Sequence, residues 1–157
     1  MHATRNDLSL KTRKSVIALL QPLLSDTLDL QSQVRMAHWN VRGPNFIALH
    51  ELFDTFSAEL AGHIDSLAER IVQLGGTPEG TSRQVAKASR LKEYPKGLVD
   101  GAGHLTALAD AYAAVGAPLR AAIEKTATLG DADTSDLCTE ISRANDKTLW
   151  FIEAHLK

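Results

Sequence analysis

The stretch from Asn45 to Leu74, NFIALHELFDTFSAELAGHIDSLAERIVQL, reads as a single long helix, with Asn45 as its N-cap and Gly75-Gly76 as its stop. Its apolar residues Ile47, Leu49, Leu52, Phe53, Phe56, Leu60, Ile64, Leu67, Ile71 and Leu74 give more width than one narrow stripe. Such a helix asks to be covered twice, by a bundle core and by a partner.

The rest of the chain supplies the bundle. Leu, Ile and Val recur at helical spacing from about Ser9 to His38, where Pro22 is the one local conflict and predicts a kink or a late start. After residue 74, GGTPEGTS and LKEYPKG bracket a linker with a short helical segment near 82–88. A third long helix is predicted from about Lys96 to Thr128, weakened by Gly101, Gly103, Gly116 and Pro118. The capping residues of LGDADTSD start a fourth near Asp133 or Thr134, ending near His155. Four amphipathic segments with one long crossover fit an all-α, ferritin-like four-helix bundle with a short extra helix between its second and third helices.

Residues 1–157 make one ordinary domain, able to bury roughly 68–70% of its unfolded surface. There is no apolar run long enough to span a membrane and no apolar secretory leader, so the expected setting is inside the cell. The single cysteine, Cys138, precludes an internal disulfide. No E-x-x-H motif occurs, which predicts an apolar core and separates the chain from bundles that hold two irons between their four helices.

His50, Asp54, Asp65 and Glu69 lie within roughly 100° of one another around the second helix, so all four share a face. They form two pairs, however, roughly 16 Å apart along the axis, too far for one straight helix to close around a metal. Positions 50 and 69 have the same midpoint as 54 and 65. A two-fold axis near position 59 or 60 would therefore set His50 against Glu69 of the partner subunit, and Asp54 against Asp65 of the partner subunit. His38, just before WNVRGPN, is a fifth possible ligand. Any one of these residues alone is more often a surface or capping residue; five with a coherent facing geometry point to an intersubunit site. Imidazole with carboxylate suits divalent iron or zinc and disfavours copper(I) or an iron–sulfur cluster. Redox work selects iron, with zinc as a substitute.

HWNVRGPNFIALHELFD followed by HIDSLAERI, together with the ending DKTLWFIEAHL, resembles the Dps family of miniferritins, the DNA-binding proteins from starved cells, over nearly the whole chain. The resemblance implies a ferroxidase with His38, His50 and Asp54 from one subunit and Asp65 and Glu69 from its partner. It also implies a hollow dodecamer built from two-fold dimers, which oxidises iron(II) mainly with hydrogen peroxide and stores ferric mineral, protecting DNA and cell. The implied setting is the cytoplasm, with nucleoid association as a further prospect. Two rivals stay open: a structural nucleoid protein whose metal only staples the dimer, and a zinc-buffering shell.

Mixed ligands predict one tight and one weak iron. Peroxide would take two electrons from the pair and leave as water without releasing hydroxyl radical. Trp39, next to His38, is a possible electron donor, though hydrophobic anchoring is its commoner role. Trp150 is expected to pack in the core or an interface. His63 points away from the ligand face, exposed or in contact with Glu59. Glu124, Asp131, Asp133 and Asp136 make an acidic patch where shells of the resembled family have pores, with Asp131 and Asp136 the expected pore residues. A net charge of −2 and a pI near 6.3 give no bulk positive field for DNA. Arg5, Lys11, Arg13 and Lys14 form only a short basic arm, diluted by Asp7, although twelve copies could add up.

Overall fold

The computed structural model describes residues 1–156 and is all-helical. Helix α1 (Leu10–Asn40) is capped by Ser9, whose Oγ accepts from the Thr12 amide at 3.1 Å. It runs through Pro22 without a break, so the late start expected there does not occur. Leu20, Leu23 and Leu24 bury both flanking turns and offset the hydrogen bond that proline removes. Helix α2 (Phe46–Gln73) begins after Asn45, which holds the cap position without a side-chain bond. It ends as predicted at the glycine pair. Gly75 takes φ +89° and donates to the Val72 carbonyl, while Gly76 donates to that of Ile71, so both orphan carbonyls are satisfied.

The crossover carries α3 (Ser82–Ala88), framed by the Thr81/Gln84 capping box. Helix α4 (Gly101–Thr128) starts five residues later than predicted, because the Gly97 turn (φ +79°) intervenes and Asp100 accepts the Gly103 amide at 2.8 Å. Helix α5 (Ala132–Ala154) follows a tight turn at Gly130, with Asp131 as its cap. Short connections make two antiparallel hairpins, α1 with α2 and α4 with α5, joined chiefly through α1 and α4.

The core between the hairpins is dominated by apolar residues, including Leu20, Leu30, Phe53, Leu67, Ile71, Leu108, Leu119 and Ile152. Gly116 lets α5 close on α4: an added Cβ would stand 3.0 Å from the Asn145 amide nitrogen, which donates to the Tyr112 carbonyl. Cys138 is buried, and burial followed by the charge of Asp131 pushes its thiol up to about 11, leaving it inert.

The crossover is strapped to the bundle by polar contacts. Buried Asp26 accepts from the Arg90 amide at 2.9 Å and its Nε at 2.8 Å. Buried His104 takes the Tyr94 hydroxyl at 2.6 Å, tying the crossover to α4. Burial lowers the His104 pKa, partly opposed by the charge of Asp100 and by backbone oxygens of Asn40 and Leu98. No helix among the described residues is long and apolar enough to cross a membrane.

Candidate metal centre

The turn between α1 and α2 brings His38, from the last turns of one helix, against His50, from the second turn of the next. Their rings stack with centroids 3.7 Å apart. Each Nδ1 lies 2.9 Å from the backbone carbonyl of the other residue. A carbonyl can only accept, so both Nδ1 atoms carry the proton and donate. In the neutral rings the lone pairs are then on the two Nε2 atoms, the tautomer a metal-ligating histidine needs, with the outer hydrogen bond already made. Phe46 packs on the same cluster, its ring centre 5.1 Å from that of His50.

Asp54, one turn beyond His50, is exposed, as are Asp65 and Glu69 near the far end of α2. Among the described residues, no three His, Cys, Asp or Glu side chains gather closely enough to hold a metal ion. One chain thus presents a histidine-rich group with a carboxylate nearby and, separately, a pair of carboxylates. The donor set suits iron(II) or zinc(II), and the geometry of a single chain leaves it divided. The turns that carry the two histidines also expose apolar side chains, Trp39, Phe46 and Ile47, with Trp39 64% and Ile47 61% accessible.

Arg35 was not legible as part of this region. Its Nη1 donates to Asp54 Oδ1 at 2.6 Å, and its guanidinium stands 5.4 Å from the centre of the Trp39 ring. Position 35 is a helical neighbour of 39, a detectable signal, but its bond to Asp54 joins residues nineteen apart on different helices.

The acidic patch at the α4–α5 turn divides into different roles. Asp131 is a correction to the expected pore pair, because its side chain is 1% exposed and both oxygens are engaged. Oδ1 accepts from Arg70 Nη2 at 2.7 Å and from the Thr134 amide at 3.0 Å, while Oδ2 accepts the Thr134 hydroxyl at 2.6 Å. A carboxylate so occupied caps α5 and cannot face a passing cation. Asp136, Asp133 and Glu124 are exposed.

His63 lies off the ligand face, half-buried, with its Nε2 buried and lacking a hydrogen-bond partner. Burial lowers its pKa against the opposing charges of Glu59 and Glu140. Trp150, expected in the core or an interface, is 62% exposed on this chain and leans on Phe151. In the basic arm, Lys11, Arg13 and Lys14 have joined α1, and Arg13 is spent on the Leu8 and Leu74 carbonyls at 3.1 and 3.2 Å. The His2 amide donates to the Gly75 carbonyl, which lays the terminus against the end of α2.

Comparison with known proteins extends these observations. The ferritin-like domain family matches residues 17–157. A DNA protection during starvation protein of Agrobacterium fabrum is 44% identical, over 99% of this chain and 96% of its own length. Among solved structures, DpsC from Streptomyces coelicolor superimposes with a TM-score of 0.95 at 31% identity, covering 99% of this chain and 91% of that one. Dps from Mycobacterium smegmatis gives 0.94 at 37% identity, covering 99% and 94%.

Proposed function

The chain belongs to the Dps family of ferritin-like proteins, and on that premise we propose that it is a ferroxidase acting at iron sites shared between two subunits. Each site would take His38, His50 and Asp54 from one chain and Asp65 and Glu69 from its two-fold partner. The observation that carries this reading is the reciprocal pair of Nδ1–carbonyl hydrogen bonds, which leaves the Nε2 lone pairs of two part-buried imidazoles free, with Asp54 one helical turn beyond His50. The separation of the remaining carboxylates along α2 supports completion of the site by a second copy.

Iron(II) is the substrate. The carboxylates offset its charge, and the histidines supply borderline nitrogen ligands that hold one iron more firmly than the other. Two iron(II) ions give one electron each; hydrogen peroxide takes both with two protons, its O–O bond breaks and two waters form. Because both electrons are supplied at one site, hydroxyl radical is not released. Zinc can occupy the same ligands without turnover.

Trp39, exposed beside His38, is proposed as a donor that quenches a stray oxidising equivalent, and Asp136 as a residue of the cation entrance. Twelve copies, assembled from two-fold dimers, would enclose the ferric product in the cytoplasm near the nucleoid. Protection of DNA then follows from removal of iron and peroxide. With Arg13 engaged, the short arm leaves Arg5, Lys11 and Lys14 as its exposed cations, weak support for tight DNA binding.

The test is anaerobic iron(II) loading of the metal-free assembled protein followed by stoichiometric hydrogen peroxide. Fast ferric absorbance with few hydroxyl-radical spin adducts is expected, and His50→Ala and Asp65→Ala should each abolish it. Oxidation no faster than that of free iron would sink the ferroxidase reading and favour a structural or zinc-holding site.

A further inference from the structure

The contact between Arg35 and Asp54 places a fixed cation on a carboxylate that the proposed chemistry needs for metal. We propose that Arg35 is a displaceable counter-cation that weakens the metal position built on Asp54, leaving the histidine position as the tighter one. This rests on the intersubunit ferroxidase reading above and gives its expected inequality of the two irons a cause in this chain's own residues.

Three features of the geometry support it. Arg35 Nη1 meets Asp54 Oδ1 at 2.6 Å, a charge-assisted bond that a metal must compete with. A guanidinium and a divalent cation on one carboxylate also repel each other, whereas no such cation is bonded to either histidine ring. The two side chains are 34% and 62% exposed, so water solvates both partners when they separate and the pair opens at little cost. Finally, the guanidinium already stands 5.4 Å from the Trp39 ring centre, an aromatic face that can hold it after Asp54 is taken. Arg35 is therefore a positioning residue, acting on the metal through Asp54.

The test is calorimetric titration of the assembled, metal-free protein with zinc(II), a redox-silent probe. Wild type should show two events of unequal affinity per site. Arg35→Met, which keeps the side-chain bulk without the charge, should tighten the weaker event roughly tenfold and leave the stronger one in place. Arg35→Lys should restore the wild-type inequality, with thermal midpoints well above the titration temperature showing that all three proteins are folded. An unchanged or weakened second event in Arg35→Met overturns the proposal, as does an equal shift of both events. His50→Ala separates the two readings: if it abolishes the strong event while Arg35→Met changes nothing, Arg35 alone loses its role. If zinc binding survives His50→Ala intact, the site lies elsewhere and both readings fall.

Discussion

Two arginine–aspartate pairs on the same chain behave as opposites. Arg35–Asp54 is a single bond at the surface, with its partners 34% and 62% exposed. Arg70–Asp131 is part of a closed network, with its partners 11% and 1% exposed. In the second, Arg70 Nε donates to Thr134 Oγ1 at 2.8 Å, that hydroxyl in turn donates to Asp131 Oδ2, and Arg70 Nη1 donates to Gln73. The bonds from Arg70 to Thr134 and Asp131 hold the end of α2 to the start of α5. The same two residue types thus make a structural lock where water is excluded and an exchangeable contact where water enters.

The sharpest way to test that contrast is to remove each arginine. Arg70→Ala leaves the Asp131 charge buried without its cation and should cost about 3–5 kcal/mol of stability, read from denaturant midpoints. Arg35→Met should cost no more than about 1 kcal/mol in the same measurement. Equal losses would erase the distinction.

Asp54→Asn probes the exposed pair from the other side. Its stability should shift by under about 1 kcal/mol, while the weaker zinc event is lost in calorimetry. Asp131→Asn should show the reverse, a destabilised chain whose remaining folded fraction binds zinc normally.

The smallest effect concerns histidine and extends the contrast to pH. His104 is enclosed and its pKa is lowered from 6.5, so the folded protein binds its proton less readily than the unfolded chain. Its contribution is complete above about pH 6.5 and is lost as pH falls through the lowered value. The stability gap between wild type and His104→Gln should therefore narrow from pH 7.5 to pH 5 in thermal scans. A gap that widens on acidification would show that His104 is held as a cation.

Much of the fold was legible because it rests on local rules. The α2 boundaries, the Gly75-Gly76 stop and the short 82–88 helix follow from periodicity, a left-handed glycine and a capping box. The start of α4 was misread because apolar spacing says nothing of the Gly97 turn, and the late start at Pro22 because propensity ignores the packing that overrides it. The four α2 residues of the proposed metal site stood out in the sequence as a set through their common helix face, whereas His38 sits on α1. Asp131 was misread because charge and turn position are the same for a pore carboxylate and a buried cap.

Residue order by itself determined the helices, the shared face of His50, Asp54, Asp65 and Glu69, and the distance that divides them, since rise and twist per residue are fixed by backbone hydrogen bonding. Only the tertiary structure decided how those groups are equipped. The α1–α2 turn sets the His38 and His50 carbonyls against the opposite Nδ1 atoms and lays Arg35 on Asp54, while the α4–α5 turn seals Asp131 from water. Proton position, charge pairing and burial depend on atoms from different helices meeting in space, and helical periodicity carries no record of those meetings.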